Sequence, residues 1–307
     1  MGLLDFFKSK PKWTPPEPRC IFLVACSAAR LPSASQLVHP KGEDGALPGT
    51  AGPEPRKTLE PGFLERPLRP GDSFMVLSAG RGAFHVAVEG LESVKDSPAR
   101  TLTRDTWPYV RLDEDLARRS REATATVVVM LVRRGQNVAQ DVLFATRLAD
   151  RVSQLADGCA NDLMGCRFFG SGSWRVTEPL GEVDAREHVM IHGESGDPRG
   201  MWVHTHGLIK FGRPEIEVYE VPEPVWKGVN FAVLDLAMYV IAGAVIRPGE
   251  TVGDPAAPLA AREGTRHRKG HWEDCAVLEL VDVDEKRRPV ETGAVRGLEA
   301  LLKSRTP

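Results

Sequence analysis

The stretch His188-Val-Met-Ile-His-Gly-Glu-Ser-Gly-Asp-Pro-Arg-Gly-Met-Trp-Val-His-Thr-His206 concentrates imidazoles. Neutral imidazole is a common metal ligand, and side chains two residues apart on a strand point to one face. His188, Met190 and His192 then share a face of one strand, and Trp202, His204 and His206 a face of the next, with the turn over residues 194–198. A register that sets His188 opposite His204 puts four imidazoles on one side of a hairpin, where cross-strand Cβ atoms lie about 5 Å apart. A one-residue slip removes the grouping. His204, His206 and His188 are the candidate ligands, with Glu215 or Glu217 of the following strand completing a nitrogen and oxygen shell for a divalent metal such as zinc. The competing reading is structural: histidines bonded to backbone carbonyls beside Trp202.

Other chemistries are weaker. Thr265-Arg-His-Arg-Lys-Gly-His-Trp272 is the one basic cluster. Arg266, Arg268, Lys269 and Trp272, with Trp202, form a candidate ligand or partner patch, against a plain solvated loop. Gly193-Glu-Ser-Gly-Asp197 resembles a nucleophile elbow, but Asp197 replaces its last glycine and a strand follows where a helix is required. The five cysteines make no C-x-x-C pair, so zinc-ribbon and thioredoxin-like chemistry is excluded and reduced thiols are expected. Phosphate-loop, dinucleotide, EF-hand and H-E-x-x-H patterns do not occur.

The elements that would position these groups follow from periodicity. Residues 72–79 and 82–89 flank Gly80-Arg81 as a β-hairpin. Asp113 caps a charged helix over 114–123. Residues 124–132 are β-branched enough for a central strand. Val138, Val142, Ala145, Ala149, Val152 and Ala156 then recur at helical spacing, and a short strand near 159–163 returns to the sheet. Strands follow at 187–192, 200–206 and 214–220, then an apolar core helix over 229–246, a strand at 276–283 and a closing helix at 294–303. The predicted fold class is α+β, a mixed or antiparallel sheet with helices mainly on one face and ferredoxin-like β-α-β-β elements. The expected organisation is an N-terminal tail (1–17), an α/β unit (18–123) containing a long Pro/Gly-rich loop (31–71), and an α+β domain (124–307).

The chain has 307 residues, enough to bury a sizeable core without disulfide or metal staples. Its 40 basic residues against 42 acidic ones argue against general nucleic-acid binding. The apolar start, Met1-Gly-Leu-Leu-Asp-Phe-Phe-Lys8, is too short for a signal segment, though it offers a peg for an unidentified protein partner. No transmembrane segment is expected, and the expected compartment is the cytoplasm.

Two resemblances add to this. Trp202-Val-His-Thr-His206 resembles the H-[ST]-H element of the zinc isopeptidase (MPN-type metalloprotease) family, which implies zinc on His204 and His206. The chain departs from that family's pattern at Gly207 after the second histidine, at Pro214 in the serine position and at Glu217 in the aspartate position. The longer motif W-x-H-T-x-G-x-x-x-F-G-x-P-E, Trp202 to Glu215, resembles a group of uncharacterised bacterial domain-of-unknown-function proteins. That resemblance covers about residues 124–246 and implies a shared α+β fold in a bacterial cytoplasm, with no catalytic residues to carry over. The expected function is therefore a non-catalytic binding or interaction protein, with a metal-dependent hydrolase built on the His-Thr-His hairpin as the alternative.

Overall fold

The computed structural model describes residues 15–43, 46–55, 57–95, 98–172, 183–266, 276–284, 289–290 and 293–303. The fold is α+β, with helices and two mixed sheets. The first sheet contains β1 (Ile21–Cys26), β2 (Val38–His39), β3 (Leu47–Gly52), β4 (Ser73–Ser78), β5 (Ala83–Glu89), β6 (Ala125–Arg133), β7 (Cys159–Asp162) and β8 (Arg167–Gly170). Its order is β2-β3-β4-β5-β6-β1-β7-β8, parallel only between β2 and β3. The second contains β9 (Met190–Asp197), β10 (Gly200–His206), β11 (Glu215–Val221), β12 (Thr251–Val252), β13 (Leu259–Glu263) and β14 (Val277–Asp282). Its order is β12-β13-β14-β11-β10-β9, with β11 and β14 parallel. The helices are α1 (Ala34–Leu37), α2 (Leu91–Lys95), α3 (Pro98–Thr101), α4 (Glu114–Glu122), α5 (Val138–Ala156), α6 (Ala185–His188), α7 (Trp226–Ile241) and α8 (Val295–Lys303).

The chain divides into two compact units. One is Pro18–His192 with Thr205–Gly212; the other is built on Gly193–His204 and the chain from Arg213 onward. The boundary expected near residue 123 falls between β5 and β6, which pair along their length in one sheet.

In the first unit β6, α5 and β7 form a split β-α-β. β6 and β7 both run antiparallel to β1, which lies between them. α5 starts where Asn137 accepts the amide hydrogens of Ala139 and Gln140, and ends at Asp157 in a left-handed conformation. Its buried stripe, Val142, Ala145, Leu148, Ala149, Val152 and Ala156, packs over β1.

The stretch 31–71 is a correction to the expected loop. Ser33 and Gln36 make a reciprocal capping box for α1, and β2 and β3 then join the sheet. Pro48, Gly49 and Gly52 hide this from a periodicity reading. They are tolerated because β3 lies next to the sheet edge.

In the second unit α7 packs on β11 and α8. It buries Val229, Ala232, Val233, Leu236, Ala237 and Val240 while Phe231, Met238 and Tyr239 stay exposed. Residues Glu223–Ile241 are long and apolar enough to cross a membrane by length and composition alone.

Candidate metal centre

The β9–β10 hairpin carries the histidines, and the structure shifts their membership. Asp184 caps α6, accepting the Arg186 amide hydrogen, so residues 185–188 are helical and the strand begins only at Met190. His188 thus leaves the hairpin face. It is buried with its ring edge-on to Phe211, centroids 5.8 Å apart. Burial, and then the Lys210 charge, hold its pKa well below the ordinary histidine value, so it is neutral.

His192 takes the place expected of His188. His192, His204 and His206 each offer a ring nitrogen within 4.8 Å of the other two, and the group could hold a metal ion. The rings of His192 and His206 lie 4.7 Å apart, centroid to centroid. His204 and His206 are buried and His192 half-buried. Ligand nitrogens on a tetrahedral zinc, with bonds of about 2.0–2.1 Å, sit roughly 3.3 Å apart. At its widest the group is about 1.5 Å more open than that. Cys166 Sγ lies 3.4 Å from His206 Nδ1, and Glu194 Oε1 lies 3.9 Å from His204 Nε2. Sequence reasoning placed His192 on the right face but left it out of the ligand set. It missed Glu194 and Cys166, and the approach of Cys166 to His206 spans 40 residues of chain.

The base of the hairpin depends on Gly207. Its φ is +114°, and a Cβ there would lie 2.3 Å from the His188 carbonyl oxygen. Gly207→Ala is expected to cost about 2 kcal/mol or more, from strain plus displacement of rigid backbone. Urea unfolding checks this; a change under about 0.5 kcal/mol would mean that the turn relaxes freely.

Glu215 and Glu217 on β11 are both fully buried. The strand β11 is flanked by β10 and β14 and buried along most of its length. Glu217 lies opposite His204 in register and opposite Glu279 on β14, which in turn faces Arg262 on β13. Neither glutamate joins the three-histidine group. Glu217 Oε2 accepts from Trp202 Nε1 at 3.2 Å and from the Tyr219 hydroxyl at 2.8 Å. Trp202 stacks on His204 with centroids 4.0 Å apart, and lies nearly parallel to Tyr219. It is buried, so it is not an exposed ligand platform. Arg266 lies 4.0 Å over the Tyr219 ring and pairs with Glu220 and Glu279. The rest of the expected basic patch, Arg268, Lys269 and Trp272, lies outside the described residues, as does the N-terminal peg.

Burial pushes the Glu217 carboxyl up to about 7, aided by Glu279 and opposed by the Tyr219 and Trp202 hydrogen bonds and by Arg266. A raised folded pKa means that the folded state holds the proton more tightly than the unfolded chain. That stability is present in full below about pH 4.5 and is lost as pH rises through 7. Glu217→Gln removes the titration, so the variant should gain on the wild type between pH 5 and 8 by roughly 2 kcal/mol. Thermal unfolding across that range checks it; a stability difference independent of pH would show that Glu217 titrates normally.

The other described cysteines are inert by the same physics. Cys20, Cys26 and Cys159 are buried, and burial raises each thiol pKa, to about 12 for Cys26 and Cys159.

No family model, curated protein or solved structure matches the chain.

Proposed function

We propose that the protein is a metal-dependent hydrolase in which His192, His204 and His206 hold a zinc ion. The observation that carries this reading is the convergence of three imidazoles on one hairpin within 4.8 Å. Zinc held by these three histidines would supply Lewis-acid chemistry that lowers the pKa of water towards 7. Trp202 packs against His204 and fixes the ring plane, and Glu194 supplies a carboxylate, 27% exposed, beside the His204 ring. With zinc bound, Glu194 would be a carboxylate beside the site able to take up a proton.

The test is hydrolysis of 4-nitrophenyl acetate and bis(4-nitrophenyl) phosphate by zinc-loaded protein. Turnover of either, lost in His192→Ala and lowered in Glu194→Gln, supports the hydrolase. Zinc bound at one equivalent with no turnover of either ester favours the second reading, a non-catalytic metal-binding interaction protein. The exposed apolar stripe of α7, where Phe231 is 65% and Tyr239 64% accessible, favours that alternative.

A further inference from the structure

A second site lies wholly within the first unit, on one face of the sheet at β3, β4, β5 and β6. Phe74, Val76, Phe84 and Val86 are fully buried on the core side. Side chains alternate along a strand, so Met75 and Leu77 on β4 share the other side with their partners His85 and Ala83 on β5. On that side the strands and the Pro53-Glu54-Pro55 segment after β3 line a cavity of about 640 Å³, a volume suited to a small molecule.

A row of side chains crosses the cavity. Thr50 pairs with Leu77, Leu77 with Ala83, and Ala83 with Arg133, and all four line it. Phe84 pairs with Leu131, so Val132 is an extra, bulged residue and Arg133 falls on the same side as Ala83. Ala83 is small and lowers the middle of the row into a trough. Leu77 is 37% and Val132 47% exposed, so the trough presents large apolar side chains to solvent.

The charges around it are unequally committed. Among the described residues, the charged side chains lining the cavity are Glu54, Lys57 and Arg133. Glu54 lies 3.0 Å from Lys57 Nζ and 3.2 Å from His85 Nε2. Hydrogen bonds from Ser73, Lys57 and His85 hold its carboxyl at about 2, so it is ionised and already paired. His85 belongs to the neighbouring row, opposite Met75, which draws the Glu54 carboxylate away from the row that ends at Arg133. Arg133 makes no hydrogen bond or ion pair with any described residue. An apolar trough thus ends in one uncompensated guanidinium.

We propose that this cavity binds a medium-chain fatty acid, with its carboxylate on Arg133 and its alkyl chain lying over Ala83 and Leu77. Three strand spacings of about 4.8 Å make the row roughly 14 Å long. An extended alkyl chain with bonds of about 1.5 Å advances roughly 1.3 Å per carbon, so about ten carbons fill it. A fully buried methylene tightens binding about fourfold, and one buried on a single side about twofold.

Calorimetric titration with hexanoate and decanoate tests this, with decyltrimethylammonium as the cation of matching tail. Decanoate should bind saturably, one to one, and at least tenfold more tightly than hexanoate, and the cation should not bind. Arg133→Gln and Leu77→Gln change exposed side chains, so both should keep the unfolding temperature of the wild type. Each should weaken decanoate binding, Arg133→Gln by at least tenfold. Absence of saturable decanoate binding at millimolar concentration, equal affinity for the two acids, equal binding by Arg133→Gln, or cation binding as tight as that of decanoate would each overturn the proposal.

Discussion

Lys210→Met should destabilise the protein by about 3–5 kcal/mol, the usual cost of stranding one member of a buried ion pair. Lys210 sits in a 3-10 turn, Leu208–Phe211, held between Gly207 and Gly212, both at positive φ. The turn is buried, and Lys210 Nζ pairs with Asp162 Oδ2 at the end of β7, both side chains fully inaccessible. Asp162 Oδ1 also accepts the Gly165 amide hydrogen at 2.9 Å, so the carboxylate is anchored from two sides. Removing the ammonium leaves an uncompensated carboxylate with no water to receive it. The double variant Lys210→Met/Asp162→Asn removes both charges and should recover much of the loss, because a neutral amide still accepts from Gly165. Urea unfolding of the two single variants and the double variant isolates the coupling. A Lys210→Met loss under about 1 kcal/mol would mean that the pair is dispensable.

The second large effect is expected from metal linkage. A ligand that binds only the folded state stabilises it by about 2.7 kcal/mol when present at 100 times its dissociation constant. For a chain of this size that corresponds to a rise of roughly 4 °C in unfolding temperature. Zinc should produce such a rise in the wild type, and magnesium should not, because imidazole suits zinc while magnesium demands oxygen ligands. His206→Ala should abolish the response. His188→Ala should retain it, since His188 lies on α6 and is not one of the three grouped histidines. A zinc response that persists in His206→Ala would place the metal elsewhere.

Much of the framework was legible in the residues. The β4–β5 hairpin, α5 and β11 follow from alternation and helical spacing, because each buries one regular face or packs in mid-sheet. The turn at residues 207–212 was legible from its two glycines and the i, i+3 spacing of Leu208 and Phe211. The capped helix that withdraws His188 was hidden, since four residues show no helical period and Glu187-His-Val-Met-Ile191 reads equally well as strand. The burial of Glu217 was hidden because its in-sheet neighbour Glu279 on β14 lies 62 residues downstream, beyond any local period. The Lys210–Asp162 pair spans 48 residues and leaves no local signal. Among the site residues, alternation found the face, but only tertiary packing chose which three histidines meet on it.

The most direct test of the metal centre is elemental mass spectrometry on untagged, dialysed protein after exposure to one equivalent of zinc. Wild type, His188→Ala and His192→Ala are compared. The centre described here predicts close to one zinc per chain in the wild type and in His188→Ala, and none in His192→Ala. A wild type that retains no zinc, or a His192→Ala variant that retains a full equivalent, would contradict it.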